Sequence, residues 1–224
     1  KPLAADAATA RAVCERLSAA GVRVHMMDVW RYHPAVEWMR DQVREGRLGA
    51  VNGLSSIRAN WTSPRQDVDT LENLGPHEIS LYREVFEREP SRVEARGEFL
   101  DGRLVSVWMR LDAGPGTPWL QSTLSNRSPI RQRRLQLHAT DAVAVHEEAD
   151  PALIRVARGA ADAQLEAREQ LAQPLPAGRA LHRQLQAWLG FLDGGLAPKT
   201  DIHAGLRTLE LLLQAREKAG SEVA

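Results

Sequence analysis

The sequence predicts an α+β fold in which helices pack on one face of a large, mostly antiparallel open sheet. Apolar residues recur at helical spacing before residue 50 and again after residue 180. From about residue 91 to 157, short alternating segments are broken by the turn sequences DG, AGPG and SP, which is typical of successive antiparallel strands. The length of 224 residues suits one large domain or two small ones.

The N-terminal part of the chain alternates helices and strands. Asp6 is a suitable N-cap for the first helix, and Gly21 can adopt the left-handed conformation that ends it. Pro34 stands in the first turn of the second helix, where a missing N–H costs nothing. The predicted elements are a helix at 6–20, a buried strand at 22–30, a helix at 33–49, a strand at 50–61 and, after a polar loop, a helix at about 76–87.

Two apolar stripes near the C-terminus predict helices that lie on the sheet. The residues of the first stripe are Leu181, Leu185, Trp188, Leu189 and Leu192, and those of the second are Ile202, Leu206, Leu209 and Leu213. In the sheet itself, Val105, Val107, Met109 and Leu111 are expected to form one buried face, and Leu104, Trp108 and Trp119 a second.

Composition excludes several classes of protein. The 29 basic and 29 acidic residues balance, which argues against a nucleic-acid partner, since phosphate binding requires a basic excess. Cys14 is the single cysteine, so neither a disulfide nor a thiolate metal site forms within the chain. No apolar run of about 18 residues and no signal-peptide pattern occurs. We therefore expect a soluble, cytoplasmic protein that binds neither nucleic acid nor membrane.

The seven histidines include one candidate for chemistry. No paired metal-binding spacing occurs, so no metal site is predicted, and a dinucleotide-binding G-x-G-x-x-G is absent from the sequence. His77 follows Gly75-Pro76 at the predicted start of a helix, and Asn73 stands four residues earlier. From the residues alone, His77 can be a helix cap, a core side chain or a proton-transfer group. Structural roles are expected for His25, His138, His146, His182 and His203.

Several stretches together resemble the glucose–fructose oxidoreductase / inositol dehydrogenase / MocA (Gfo/Idh/MocA) family. The beginning, KPLAADAATARAVCERLSAAGVRV, is similar to the segment that follows a Glu-Lys-Pro motif in that family, and RYHPAVEWMRDQVREGRLGAV to its next helix. The stretch DVDTLENLGPHEIS is similar to the family's Asp-x-Gly-x-His helix. The tail from residue 181 resembles the closing pair of helices. The resemblance covers nearly the whole chain.

The resemblance implies a domain arrangement. Residues 1–30 would be the last helix and strand of a Rossmann dinucleotide-binding domain, and 31–224 the substrate-binding and oligomerisation domain with the open sheet. Lys1 would be the lysine of Glu-Lys-Pro, and most of the cofactor domain, about 120 residues, would lie upstream. A homodimer or homotetramer through the open sheet is expected.

The resemblance also implies a reaction. It assigns hydride transfer between NAD or NADP and a hydroxyl or ketone of a sugar, sugar nucleotide or cyclitol, with His77 as acid/base and Lys1 beside the reacting oxygen. Lys1 and Pro2 would contact the cofactor. Asn73 replaces an aspartate found in many members, so it can orient His77 but cannot share a proton.

Two questions stay open at this level. Trp30, Arg31 and Tyr32 lie where members of the family approach substrate, although Arg31 suits a structural ion pair equally well. The alternative to a dehydrogenase of carbohydrate metabolism is a non-catalytic sheet domain for oligomerisation or sugar binding. The chain alone, without most of its cofactor domain, is expected to be inactive.

Overall fold

The computed structural model describes residues 3–61, 67–159 and 169–220. It contains five α-helices and one eight-stranded sheet among these residues. The helices are α1 (Ala7–Ala19), α2 (Pro34–Arg44), α3 (Thr70–Phe86), α4 (Ala180–Leu192) and α5 (Ile202–Gly220). The strands are β1 (Val51–Trp61), β2 (Arg92–Leu100), β3 (Arg103–Asp112), β4 (Trp119–Ser125), β5 (Arg127–Ala139), β6 (Ala142–Glu147), β7 (Leu153–Arg158) and β8 (Glu169–Pro174). No helix in these ranges is long and apolar enough to span a membrane.

The predicted ends of the first helix are confirmed, but the prediction of a strand after it is wrong. The side chain of Asp6 accepts a hydrogen bond from the Thr9 backbone N–H, and Gly21 has a φ of +63°. Residues 22–28 are not paired as a strand with any described residue, and a 3₁₀ turn follows at Val29–Tyr32. A strand exists only with a neighbour that satisfies its backbone, and here Met26 N–H donates to the Thr200 carbonyl instead.

The helix that carries His77 begins six residues earlier than predicted. Asp69 caps it and forms a capping box with Glu72, which satisfies two backbone N–H groups at the helix start. The polar residues before Gly75 therefore form the first turns of α3 rather than a loop. Pro76 lies inside the helix, and the carbonyl of Pro76 accepts a hydrogen bond from Ser80 Oγ at 2.8 Å. His77 thus lies in the middle of a helix and does not cap one.

The strand order of the sheet is β2-β3-β4-β1-β5-β6-β7-β8. All neighbours are antiparallel except β1 and β4, which are parallel, so the prediction of a mostly antiparallel sheet is confirmed. The sequence did not predict β8, because the stretch AQPLPAG at its end indicates a loop. Strand β1 lies in the middle of the sheet and gives its long alternating segment two hydrogen-bonded neighbours.

One face of the sheet packs on α3 and α5 and forms the core. Val107, Met109 and Leu111 are buried on this face, as predicted. Val105 was expected on this face and Leu104 on the other, but the two are exchanged. The cause is an irregularity in the pairing of β2 with β3, whose register shifts between Glu98 and Phe99. Leu104 is consequently buried, whereas Val105 is half-buried and its carbonyl accepts from Thr70 Oγ1 at 2.9 Å. The other face is open and carries Trp108 and Trp119, both half-buried.

The predicted core face of α4 is exposed. Leu181, Leu185, Leu189 and Leu192 are 42–59% exposed, and the one buried side chain of this helix is Gln184. Only the Trp188 side of α4 packs on the preceding chain, where its ring stacks on His25 at 5.4 Å between centroids. The stripe of α5 is confirmed at Ile202 and Leu209, but Leu213 is exposed; the buried face also contains Thr208, Leu211, Leu212 and Ala215.

Candidate active site

Helix α3 presents Asn73 and His77 on one face, one turn apart. Residues four apart in a helix are neighbours on its surface, so the amide lies beside the imidazole. Both side chains are half-buried, whereas almost all residues after them in the helix are buried. This arrangement keeps His77 accessible at the edge of a rigid, packed element. The predicted proximity of Asn73 and His77 thus results from helical periodicity rather than from a compact turn.

The residue after His77 forms a buried ion pair with the sheet. Glu78 is completely buried and binds Nε of Arg58, which lies on β1 and is also buried. The second carboxylate oxygen of Glu78 accepts a hydrogen bond from Ser122 Oγ of β4 at 2.8 Å. Charge-assisted bonds in a dry environment have strict geometry, so this pair fixes the rotation of α3 over the sheet. The direction in which His77 points depends on that rotation.

Trp30 lies on the other side of Arg58. The guanidinium carbon of Arg58 is 3.8 Å from the centre of the Trp30 indole, a cation–π contact. The imidazole of His33 stacks on Trp30 at 4.7 Å between centroids, with the planes inclined by 17°. Trp30 is therefore covered by two side chains, and the structure places the predicted substrate-binding segment Trp30–Tyr32 against α3.

Arg31 and Tyr32 belong to a network of ion pairs around Glu84. This buried carboxylate accepts hydrogen bonds from Arg31 at 3.1 Å, from Arg40 at 2.6 Å and from Lys199 at 2.5 Å. The Tyr32 hydroxyl accepts from the Lys199 backbone N–H at 3.1 Å, and burial raises the pKa of Tyr32. Arg31 also donates to the Lys199 carbonyl. The guanidinium of Arg31 thus takes part in the structural ion pair that the sequence left open, between α3 and the segment before α5.

A cleft of about 250 Å³ opens beside Trp30 at one end of β1, β5 and β6. We call it the arginine–histidine cleft; its polar lining includes His33, Arg58, Arg133, Arg134, His146 and Glu148. The rings of His33 and His146 lie 5.1 Å apart between centroids. Burial lowers the pKa of His33 to about 4, with a further contribution from His146 and Arg58. Burial also lowers the pKa of His146, so both rings are neutral at pH 7.

The predicted residues divide into three groups. The structure brings Asn73 and His77 together and packs Trp30, Arg31 and Tyr32 against the same helix. Lys1 and Pro2 lie outside the described residues. Sequence reasoning missed Arg58, Glu78, Glu84, His33 and His146. A signal existed for Glu78, because the residues one helical turn away from it, Leu74, Leu81 and Tyr82, predict a buried face, and a buried glutamate requires a cationic partner.

The described residues provide no site for a metal or for a dinucleotide pyrophosphate. Within ranges 3–61, 67–159 and 169–220, no group of three or more His, Cys, Asp or Glu side chains is arranged so that it could hold a metal ion. None of the helices in these ranges begins with the glycine-rich turn that holds a pyrophosphate.

Comparison with known proteins finds similarity at the level of structure. No protein-family model matches the sequence, and neither does any curated protein. UDP-N-acetylglucosamine 3-dehydrogenase from Acidithiobacillus ferrooxidans superposes with a TM-score of 0.80 at 20% identity, covering 97% of this chain and 68% of that one. An inositol dehydrogenase homologue from Azotobacter vinelandii, complexed with NADH and myo-inositol, gives 0.77 at 14% identity and covers 99% and 69%.

A third structure, an oxidoreductase domain protein from Kribbella flavida, gives a TM-score of 0.78 at 16% identity and covers 99% of this chain and 71% of that one. Identities this low establish the fold. In each case almost all of this chain matches about two thirds of a longer protein. The chain therefore has the fold of the C-terminal, sheet-bearing part of Gfo/Idh/MocA-type oxidoreductases, as the sequence resemblance implied.

Proposed function

We propose that this chain is the substrate-binding part of an NAD(P)-dependent oxidoreductase that acts on a hydroxyl or ketone of a sugar, sugar nucleotide or cyclitol. The observation that carries the proposal is His77, half-buried on α3 directly after the buried Gly75-Pro76 pair and one turn after Asn73, in a fold shared with oxidoreductases. Two of those neighbours are a sugar-nucleotide dehydrogenase and an inositol dehydrogenase homologue.

The proposed role of His77 is to move the proton of the reacting hydroxyl. As the carbon loses hydride, its hydroxyl must lose a proton, and a neutral imidazole at hydrogen-bond distance accepts it. Lys1, as an ammonium beside the same oxygen, would stabilise the developing negative charge. A bound nicotinamide would supply the hydride acceptor. Pro76 and the buried Glu78 on either side of His77 leave its backbone little freedom, so the imidazole is positioned before substrate arrives.

Asn73 sets a limit on this mechanism. Its amide can orient the His77 ring or bond a substrate hydroxyl, but it carries no charge that would balance an imidazolium. In this proposal the proton taken by His77 therefore passes on to solvent rather than to a carboxylate one turn earlier.

We further propose that residues 1–30 complete a Rossmann domain and that 31–224 form the sheet domain. One observation supports this division. The segment 22–28 has exposed apolar side chains at Val22 and Met27, which a neighbouring domain would cover. Helix α1 would join the two parts, since it packs on α5, where Arg11 binds Glu210 at 2.5 Å. The residues that select between NAD and NADP would belong to the cofactor part.

The open face of the sheet supports the proposal of a homodimer or homotetramer. Trp108, Trp119 and Val145 on this face are half-buried rather than covered, and a second copy of the same face would bury them. Light scattering of the purified chain at micromolar concentration tests this. A dimer or tetramer is expected, and a monomer would contradict it.

The alternative is a non-catalytic domain that has kept the shape of an enzyme. The asparagine at position 73 favours it, and the rigidly positioned His77 favours catalysis. The test is turnover, followed as NAD(P)H formation, by the protein that contains this chain together with its cofactor part. His77→Ala is expected to lower kcat by about a hundredfold or more, whereas the control His182→Ala, an exposed histidine on α4, leaves it unchanged. Equal turnover of both variants would rule out the acid/base role of His77.

A further inference from the structure

The two histidines of the arginine–histidine cleft have opposite hydrogen-bonding roles. His33 Nδ1 accepts from the Ala35 backbone N–H at 3.2 Å, so the neutral ring carries its proton on Nε2. His146 Nδ1 faces the Leu153 carbonyl at 3.1 Å and must donate to it, so Nε2 of the neutral ring is an acceptor. The cleft therefore has an N–H donor and a nitrogen acceptor side by side, which is the pair that a hydroxyl group requires.

The arginines of the cleft have donors that the described chain does not use. Arg58 gives Nε to Glu78, but its Nη2 is buried and bonds to no acceptor among the described residues. Arg133 lies 3.5 Å from Glu148, whereas both oxygens of Glu148 accept hydrogen bonds from Arg131 at 2.9 Å. An orphaned buried donor is costly, so such a group in a native protein calls for a partner from outside the chain, a water or a ligand.

The charge around the cleft favours an anion. Arg58, Arg133 and Arg134 line it with one carboxylate, that of Glu148. Glu78 of α3 balances the charge of Arg58, and Glu147 lies 3.7 Å from Arg134. Burial lowers the pKa of Arg133, the charge of Glu148 raises it, and the charge of Arg58 lowers it again. The cleft thus has three lining guanidinium groups and one lining carboxylate.

We propose that the arginine–histidine cleft binds the anionic end of the substrate: a carboxylate or phosphate with adjacent hydroxyls, as in a sugar acid or a sugar phosphate. Arg58 and Arg133 hold the anionic oxygens, and His33 and His146 hold a neighbouring hydroxyl. The proposal rests on the proposed function in one respect. The cleft is taken to hold another part of the substrate that reacts at His77; Arg58 of the cleft binds Glu78, the residue after His77.

Direct binding to the 224-residue chain tests the proposal. Isothermal titration calorimetry is performed with D-gluconate, glucose 6-phosphate and glucose, which share a polyhydroxy chain and differ in the anionic group. At least one of the two anions is expected to bind about tenfold more tightly than glucose. Binding of gluconate alone identifies a carboxylate site, of glucose 6-phosphate alone a phosphate site, and of both a site for either anion.

Two variants locate the site, and a matched arginine serves as the control. Arg133→Gln is expected to weaken binding of the anion about tenfold, since it removes the charge but keeps a donor. His146→Asn keeps a donor for the Leu153 carbonyl and removes the Nε2 acceptor, so it also weakens binding. Arg110→Gln, on the open face of the sheet, is expected to leave the affinity within about twofold. Circular dichroism establishes that each variant is folded.

The proposal is overturned if neither anion binds the folded chain, if glucose binds equally well, or if Arg110→Gln weakens binding as much as Arg133→Gln. This experiment requires no cofactor and no turnover. If gluconate binds although His77→Ala has no effect on turnover, the anion site stands and the acid/base role of His77 is wrong. If His77→Ala abolishes turnover but the chain binds neither anion, the proposed function stands and only the proposal for the cleft is wrong.

Discussion

Arg58 of β1 and Glu78 of α3 form a buried ion pair, and Glu78 directly follows His77 in the chain. The pair joins three parts of the molecule, because Arg58 also packs on Trp30 and Glu78 also binds Ser122 of β4. A buried pair of this kind contributes little to stability compared with apolar residues of the same size, but it permits one arrangement of its helix and no other. It is the link between the sheet and the direction of His77.

Removal of one charge of this pair should destabilise the fold strongly. Glu78→Gln keeps the size and most hydrogen bonds of the side chain but leaves the Arg58 cation buried without compensation. The free energy of unfolding, measured in urea, should fall by about 3 kcal/mol. Glu210→Gln, which breaks the exposed pair with Arg11, should cost less than about 1 kcal/mol. Similar losses in the two variants would contradict the role assigned to the buried pair.

Stability should decrease as the pH falls from 7 toward 4, and His33 should be one cause. Its pKa is lowered to about 4 by burial, whereas the unfolded chain protonates it near pH 6.5. Between these values the unfolded state binds more protons, so the free energy of unfolding falls by about 1.4 kcal/mol per pH unit from this group.

The variant His33→Asn isolates this contribution. Asparagine is a good N-cap and so replaces the bond that His33 Nδ1 accepts from Ala35, but it does not titrate. Urea unfolding at pH 7 and pH 5 should show a smaller pH dependence for this variant than for the parent. His182→Asn, at an exposed site, should retain the parental slope. An unchanged slope in His33→Asn would show that the buried ring does not control the acid sensitivity.

Replacement of Asn73 by aspartate should change the pH profile of catalysis. A carboxylate one turn before His77 stabilises the imidazolium form, so the base is lost at higher pH. The acidic limb of the kcat/KM profile should therefore move upward by about one pH unit. Asn52→Asp, at an exposed position of β1, is a comparison with the same change of charge. A profile that does not move, while activity persists, would place the Asn73 side chain out of contact with the proton transfer.

Gly53 of β1 has no space for a side chain, because Trp119 of β4 lies against it. A Cβ at this position would lie 2.2 Å from Cδ2 of Trp119 and 2.5 Å from the Trp119 carbonyl oxygen. Since the second contact is with backbone, rotation of the indole alone cannot relieve it. Gly53→Ala should cost about 2 kcal/mol of unfolding free energy and alter the near-ultraviolet dichroism of Trp119. Gly190→Ala, where a Cβ has open space on helix α4, should instead stabilise by up to about 1 kcal/mol.

Most of the fold could be predicted because local patterns and tertiary structure agree. Alternation of apolar residues predicts β2, β3, β4, β5 and β6, and Gly21 and Gly46 end helices α1 and α2 with φ values of +63° and +65°. The start of α3 was missed because Gly75 and Pro76 are strong local signals of a turn. The capping box at Asp69 and Glu72 outweighs them, since it satisfies the N–H groups of the first turn.

The remaining errors concern what lies beside an element rather than the element itself. Leucines at helical spacing predict α4 correctly, but periodicity cannot tell which surface covers the apolar stripe. The sequence also predicted His77 and Asn73 as neighbours but not the Arg58–Glu78 pair beneath them. The two partners are 20 residues apart on different elements, and only the register of α3 on β1 brings them together.

The central position of β1 has a consequence for how the chain folds. Every other pair of neighbouring strands is consecutive in sequence, so β2–β4 and β5–β8 are two meanders that need only short loops to close. By contrast, Gly53 pairs with Trp119 on one side and His138 on the other. Both pairings close long loops, which is slow. Strands β4 and β5 are separated by Asn126 alone and must stay apart until β1 enters between them. We therefore expect β1 to join the sheet last, although it precedes the other seven strands in the sequence.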